Sequence, residues 1–168
     1  MRRYRLLGAL MTVLVLTGGG CSQKSRDNSA AVMHWDRDMC VRCQMAISER
    51  KYAVQVINPQ THAVYKFDDI GCAVLWFDEE HIPWKDQAKI WITDAKTGKW
   101  IDARTALYTD DSITPMAYGF AAYTRETFPT GHPVRHYTDA VKTVFAIEKY
   151  NSEKLNADAT SQPTGGAR

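Results

Sequence analysis

Apolar and polar positions alternate over residues 52–57, where Ala53, Val54 and Val56 sit among polar neighbours. Asn58-Pro59-Gln60-Thr61 supplies turn residues, and the alternation resumes over 62–67, so this stretch predicts a hairpin. The period then lengthens. Asp68-Asp69 offers an N-cap, and Ile70, Val74, Leu75 and Phe77 recur on one side of a helix over Ile70–Glu79. Residues 89–93 and 99–103, flanking 94–98, predict a second hairpin, and 116–124, after Pro115, a further strand. Thr138-Asp139 caps a last helix through about Tyr150, with Val141, Val144, Phe145 and Glu148 at helical spacing.

The two halves of this pattern can be laid over each other. His62-Ala-Val64-Tyr-Lys-Phe67-Asp-Asp69 and His132-Pro-Val134-Arg-His-Tyr137-Thr-Asp139 match at an offset of 70, each ahead of an amphipathic helix. Met45-Ala46 and Met116-Ala117 match at an offset of 71. The expected fold class is therefore α+β, with two related β-β-α units in one compact domain. Each unit carries a methionine ahead of a histidine that opens the second strand of its hairpin, which places Met116 and His132 at one end of a sheet.

The chain ends set the context. Arg2, Arg3 and Arg5 precede the apolar run 6–16 and then small residues, the layout of a secretory signal. The run is far short of the ~20 apolar residues of a membrane span. Residues 14–21 resemble a bacterial lipoprotein signal with Cys21 as the lipid-bearing first residue of the mature chain, so the expected organisation is a signal over 1–20, a lipid-anchored tether over 21–32, a domain over 33–150 and a disordered tail over 151–168. The resemblance to that lipoprotein class implies, from Ser22 and not Asp after the cysteine, the outer membrane, on the periplasmic face. Without the first twenty residues, which carry three Arg and no acid, 18 basic side chains face 19 acidic ones, net −1. No basic face remains to suggest nucleic acid.

Chemistry concentrates in Cys40-Val-Arg-Cys43-Gln-Met45, with Met39 directly before it and Met33-His34 upstream. Thiolate, thioether and imidazole select Cu(I), with zinc and iron–sulfur as the other users of paired cysteines. Met116 is the sole methionine after Met45, and with His132 it would make an open Met-plus-His site that holds Cu(I) loosely enough to hand it on. Cys72 falls in the first turn of its helix, where the helix end favours thiolate. Cys40 and Cys43 suit three states: a Cu(I) site with Met45, a disulfide, or, with Cys72 and His62, a structural zinc site. Asp68, Asp69 and Asp139 are expected as helix caps. No Gly-rich phosphate loop, nucleophile elbow or H-E-x-x-H pattern occurs, so no enzyme is expected.

Several of these residues together resemble the nitrous oxide reductase accessory proteins called NosL: Cys21, Cys40-x-x-Cys43-x-Met45, Phe67-Asp-Asp-Ile-Gly-Cys72, and Thr114-Pro-Met116 followed by Gly119-Phe120. The commoner form there is C-x-x-C-Gly-Met, whereas Gln44 stands here, at a position Gly would leave free to take φ > 0. The resemblance implies a periplasmic, membrane-anchored Cu(I) metallochaperone that supplies nitrous oxide reductase with the help of a membrane transporter complex, with its copper on Met116 and His132. Two other classes stand beside it: a thiol-disulfide oxidoreductase, and a lipoprotein whose zinc is purely structural.

Overall fold

A computed structural model describes residues 29–161, and the signal segment, Cys21 and residues 162–168 lie outside the described residues. β1 (Val54–Ile57) pairs with β2 (Val64–Phe67) through a turn in which Asn58 Oδ1 accepts from the amides of Gln60 and Thr61 at 2.9 and 3.0 Å. β3 (Lys89–Thr93) pairs antiparallel with both β1 and β4 (Trp100–Asp102), giving a four-stranded sheet of order β2-β1-β3-β4. Val54, Phe67 and Ile92 lie opposite one another, as do Val56, Tyr65 and Ile90, so one face of the sheet is apolar. The other face carries Gln55, Lys66 and Trp91. Gln55 is fully buried because the chain at Ala31 roofs it, the Ala31 amide and carbonyl both bonding its side chain.

α1 (Ile70–Glu79) lies on the apolar face with every residue from Ile70 to Phe77 buried. Trp76 meets Tyr65, Phe67 and Trp84 at ring-centroid distances of 4.7, 5.3 and 6.1 Å, which fixes the helix against β2. α2 (Tyr137–Ser161) packs on α1 through Ala140 and Val144. It runs past the expected end at Tyr150, so residues 151–161 are helical rather than a loose tail. No apolar stripe continues there, which is why the helical pattern in the sequence ends at Tyr150. No helix among the described residues is long and apolar enough to cross a membrane.

The expected 116–124 strand shortens to β6 (Ala121–Tyr123), which pairs with β5 (Leu107–Thr109) in a separate two-stranded sheet. Pro115 and Ala117, the latter at φ 60°, keep Met116 in a turn. The second-half strand expected to open at His132 is also missing. Gly131 sits at φ 85° and Pro133 has no N–H to give a ladder, so the segment makes a single bridge, Arg135 to Tyr108. The architecture thus shows an α+β domain of antiparallel sheets and two helices but does not display two repeated β-β-α units.

Asp94 joins the two sheets. Fully buried, it accepts from the amides of Lys96, Thr97 and Thr124 and the hydroxyls of Thr97 and Thr127.

One contact links the fold to the chemistry. Tyr118 lies flat on Gly71, where a Cβ would fall 2.0 Å from its Cδ2. Alanine should help a helix by up to ~1 kcal/mol, yet here Tyr118 would have to move and lose its bond to Glu148 (3.0 Å). Gly71→Ala should therefore destabilise the protein by about 1–3 kcal/mol, read by denaturant unfolding; a stabilised variant would show that the ring is free to yield.

Candidate metal centre

The Cys40–Cys43 segment is a tight turn docked on the sheet. The Gln44 amide donates to the Cys40 carbonyl (3.0 Å), the Cys40 amide to the Met45 carbonyl (2.8 Å), and the Val41 amide to the Lys66 carbonyl of β2 (2.9 Å). Gln44 does take φ 61°, the conformation glycine favours. That costs about 1–2 kcal/mol for a residue with a Cβ, offset by a bond from Gln44 Nε2 to the Val41 carbonyl at 2.7 Å.

The turn sits over the entry to α1. Asp69 is the cap, accepting from the Cys72 amide at 3.1 Å. Because one carboxylate suffices, Asp68 is not a cap. It turns the other way, accepts from the Cys43 thiol at 3.2 Å through Oδ2, and leaves Oδ1 buried with no hydrogen-bond partner. The three sulfur atoms and an Asp68 oxygen all lie within 4.8 Å of one another. Cys40, Cys72 and Asp68 are buried, and Cys43 reaches partly to solvent. A buried carboxylate oxygen left unpaired is costly, and a positive ion is the partner that would satisfy it. The donor set fits a soft metal: three thiols, none in a disulfide, with one carboxylate in reserve.

The thiols are not equivalent. Hydrogen bonding from Cys72, and from Cys43, brings Cys40 down to about 6 against the pull of burial. Cys43 is pushed up to about 12, mainly by burial. Cys72 is also raised, by its bond to Cys40 and by burial, so the expected helix-end thiolate is not at Cys72. Of the three, Cys40 is the thiol shifted toward the thiolate, held by the Cys72 S–H and the Cys43 backbone amide.

The other predicted residues are spread around this cluster. Met45 lends its carbonyl to the turn but its side chain is 44% exposed. Met116 is half-buried in the loop over α1, its amide donating to Asp69 Oδ2 at 3.2 Å, so one carboxylate ties both Cys72 and Met116 in place. His132 is exposed, with Nδ1 3.0 Å from Asp111 Oδ2, and is not part of the cluster. His62, at φ 56°, stands in the hairpin turn at the far end of β2 from Asp68, about 20 Å away along an extended strand, and cannot join the cysteines. His34 and His136 are exposed. Sequence reasoning missed Asp68 as a donor. The available signal was the doubled aspartate, of which a helix N-terminus needs only one, four residues before Cys72.

Metal binding requires thiolates, so filling all three sulfurs expels the protons of Cys43 and Cys72 and, below pH about 6, that of Cys40 as well. Affinity should therefore fall as pH falls, about a hundredfold per unit above that point and more steeply below it. Chelator competition from pH 8 to 5 measures this, and a pH-independent affinity would contradict a three-sulfur site.

No family model matches the chain, and no curated protein matches it. Among solved structures the fold is similar to the crystal structure of the copper chaperone NosL from Shewanella denitrificans, with a TM-score of 0.52 and 14% identity, over 67% of this chain and 95% of that one. At that identity the likeness is one of fold. The chain thus has the fold of the copper chaperone that its sequence resembles.

Proposed function

We propose that the protein is a Cu(I) metallochaperone whose cargo is held by Cys40, Cys43 and Cys72. The observation that carries this is the convergence of three sulfurs and an Asp68 carboxylate oxygen within 4.8 Å, beside a carboxylate whose Oδ1 is buried and unpaired, with the partly exposed Cys43 as the route in and out. Three thiolates suit a monovalent soft ion in trigonal coordination. Transfer proceeds by ligand exchange, which needs one accessible donor and buried companions to keep water and oxidants away. The structurally similar protein is itself a copper chaperone.

The setting of this role is part of the proposal. Cys21 carries a lipid that holds the domain on the periplasmic face of a membrane. The recipient is nitrous oxide reductase, served through a membrane transporter complex, and the support is the motif resemblance in Cys40-x-x-Cys43-x-Met45 and Phe67-Asp-Asp-Ile-Gly-Cys72. Met45, Met116 and His132 act at the handover, as soft donors outside the buried cluster that receive the ion from Cys43. A second reading is favoured by Asp68: three sulfurs and one carboxylate also make a tetrahedral zinc set. A thiol-disulfide oxidoreductase is less well supported, because the C-x-x-C lies in a turn before β1 and not at the start of a helix.

Anaerobic, reduced protein titrated with Cu(I) against a chromogenic chelator should take one ion per chain. Cys43→Ser and Cys72→Ser should each weaken it at least tenfold, while Met116→Ala and His132→Ala should slow transfer to an acceptor more than they change affinity. Retention of full affinity in both cysteine variants, or a preference for zinc that copper cannot displace, would overturn the proposal.

A further inference from the structure

Arg42 stands between the two cysteines of the turn and is 16% exposed. Nothing in metal ligation by sulfur calls for an arginine there, yet it has the densest set of partners near the site. Nε and Nη2 donate to both Glu79 oxygens at the end of α1 (2.8–3.1 Å), Nη2 donates to Glu148 Oε1 of α2 (3.2 Å), and Nη1 reaches the Tyr118 hydroxyl at 3.5 Å. Tyr118 in turn donates to Glu148 Oε2 and lies on Gly71, beside Cys72. Glu79 foremost, with Tyr118 and the Cys72 sulfur also contributing, holds Arg42 above its ordinary pKa. An arginine guanidinium is always charged, and this one is clamped by two helices beside the sulfur cluster.

We infer that Arg42 is a specificity-determining residue that biases the cysteine site toward a monovalent ion over a divalent one. This rests on the cluster binding metal as proposed above. The physical basis is charge. Three thiolates and a carboxylate carry four negative charges, so the site filled with Cu(I) holds three net negative charges and the site filled with Zn(II) holds two. A fixed cation beside the site favours the more negative state, and the advantage it gives Cu(I) over Zn(II) is that of one unit charge at short range. Because the two filled states are compared directly, the difference does not depend on how the empty site is protonated. Glu79 and Glu148 are 47% and 37% exposed, so solvent weakens their opposing field at the site without removing it. The clamp geometry explains why arginine is used: its planar fork binds Glu79 through two nitrogens and still meets Glu148.

The test measures Cu(I) and Zn(II) affinities on the reduced full-length protein by competition with a chelator for each ion, and reads their ratio. Arg42→Gln should lower the ratio of Cu(I) to Zn(II) affinity by about tenfold, the effect of one charge a few ångströms away in a partly solvated setting. Arg42→Lys keeps the charge and should restore most of the ratio, although it loses the fork. Glu148→Gln, which lies outside the ligand set, should move the ratio the other way. If Arg42 merely holds the turn, Arg42→Gln weakens both ions alike and leaves the ratio unchanged, which overturns the inference while the metal site stands. Should Arg42→Gln fail to fold, Glu148→Gln decides, and a ratio that does not rise in it overturns the inference. Wild-type protein that holds neither ion overturns both the inference and the function it rests on.

Discussion

The organising constraint is a pair of adjacent carboxylates at the entry to α1 that cannot share a job. Asp69 caps the helix and, through its second oxygen, takes the Thr114 hydroxyl and the Met116 amide, so it binds the loop over the helix to the helix itself. Burial raises its pKa, and the hydrogen bonds work against that rise. Asp68 has no such use for its charge. It faces three sulfurs with one oxygen unpaired, an arrangement that does not help the empty protein.

The rest of the fold positions those two residues. β2 ends at Phe67, whose ring packs on Trp76, and the chain must then turn into α1 with Asp68 and Asp69 on opposite sides. The C-x-x-C turn hangs from β2 through the Lys66 carbonyl, which brings Cys40 and Cys43 to the same corner. Arg42 and Tyr118 close the far side and connect the corner to α2. A site built this way is packed at Cys40, Cys72 and Asp68 and open at Cys43, which suits the proposed role of holding and releasing an ion.

Much of this is legible in the chain, and the misses have physical causes. The first hairpin, α1 and the pairing of 89–93 with 100–102 follow from period and turn chemistry, and α1 matches at both ends. The second half misleads because a repeat of residue types is not a repeat of structure. Gly131 and Pro133 break the strand that the offset of 70 predicts, and Pro115 shortens the strand that follows it, where the Met116 amide finds its partner in Asp69 in place of a ladder. β5 escapes a reading by period because three residues are too few to show one. At the site, the cysteines announce themselves but their partner does not. His62 is the better ligand by chemistry and lies at the wrong end of its strand, whereas Asp68 looks like one more cap. Spacing along a strand decides such cases, and it is visible only once the strand's ends are known.

The proposed carriage of copper depends on three sulfurs meeting one ion. X-ray absorption at the copper edge of anaerobically loaded protein tests that directly. It should show a first shell of three sulfur neighbours in the wild type and a loss of one of them in Cys72→Ser, the buried cysteine of α1. A shell dominated by nitrogen, or one unchanged when Cys72 is replaced, would contradict it.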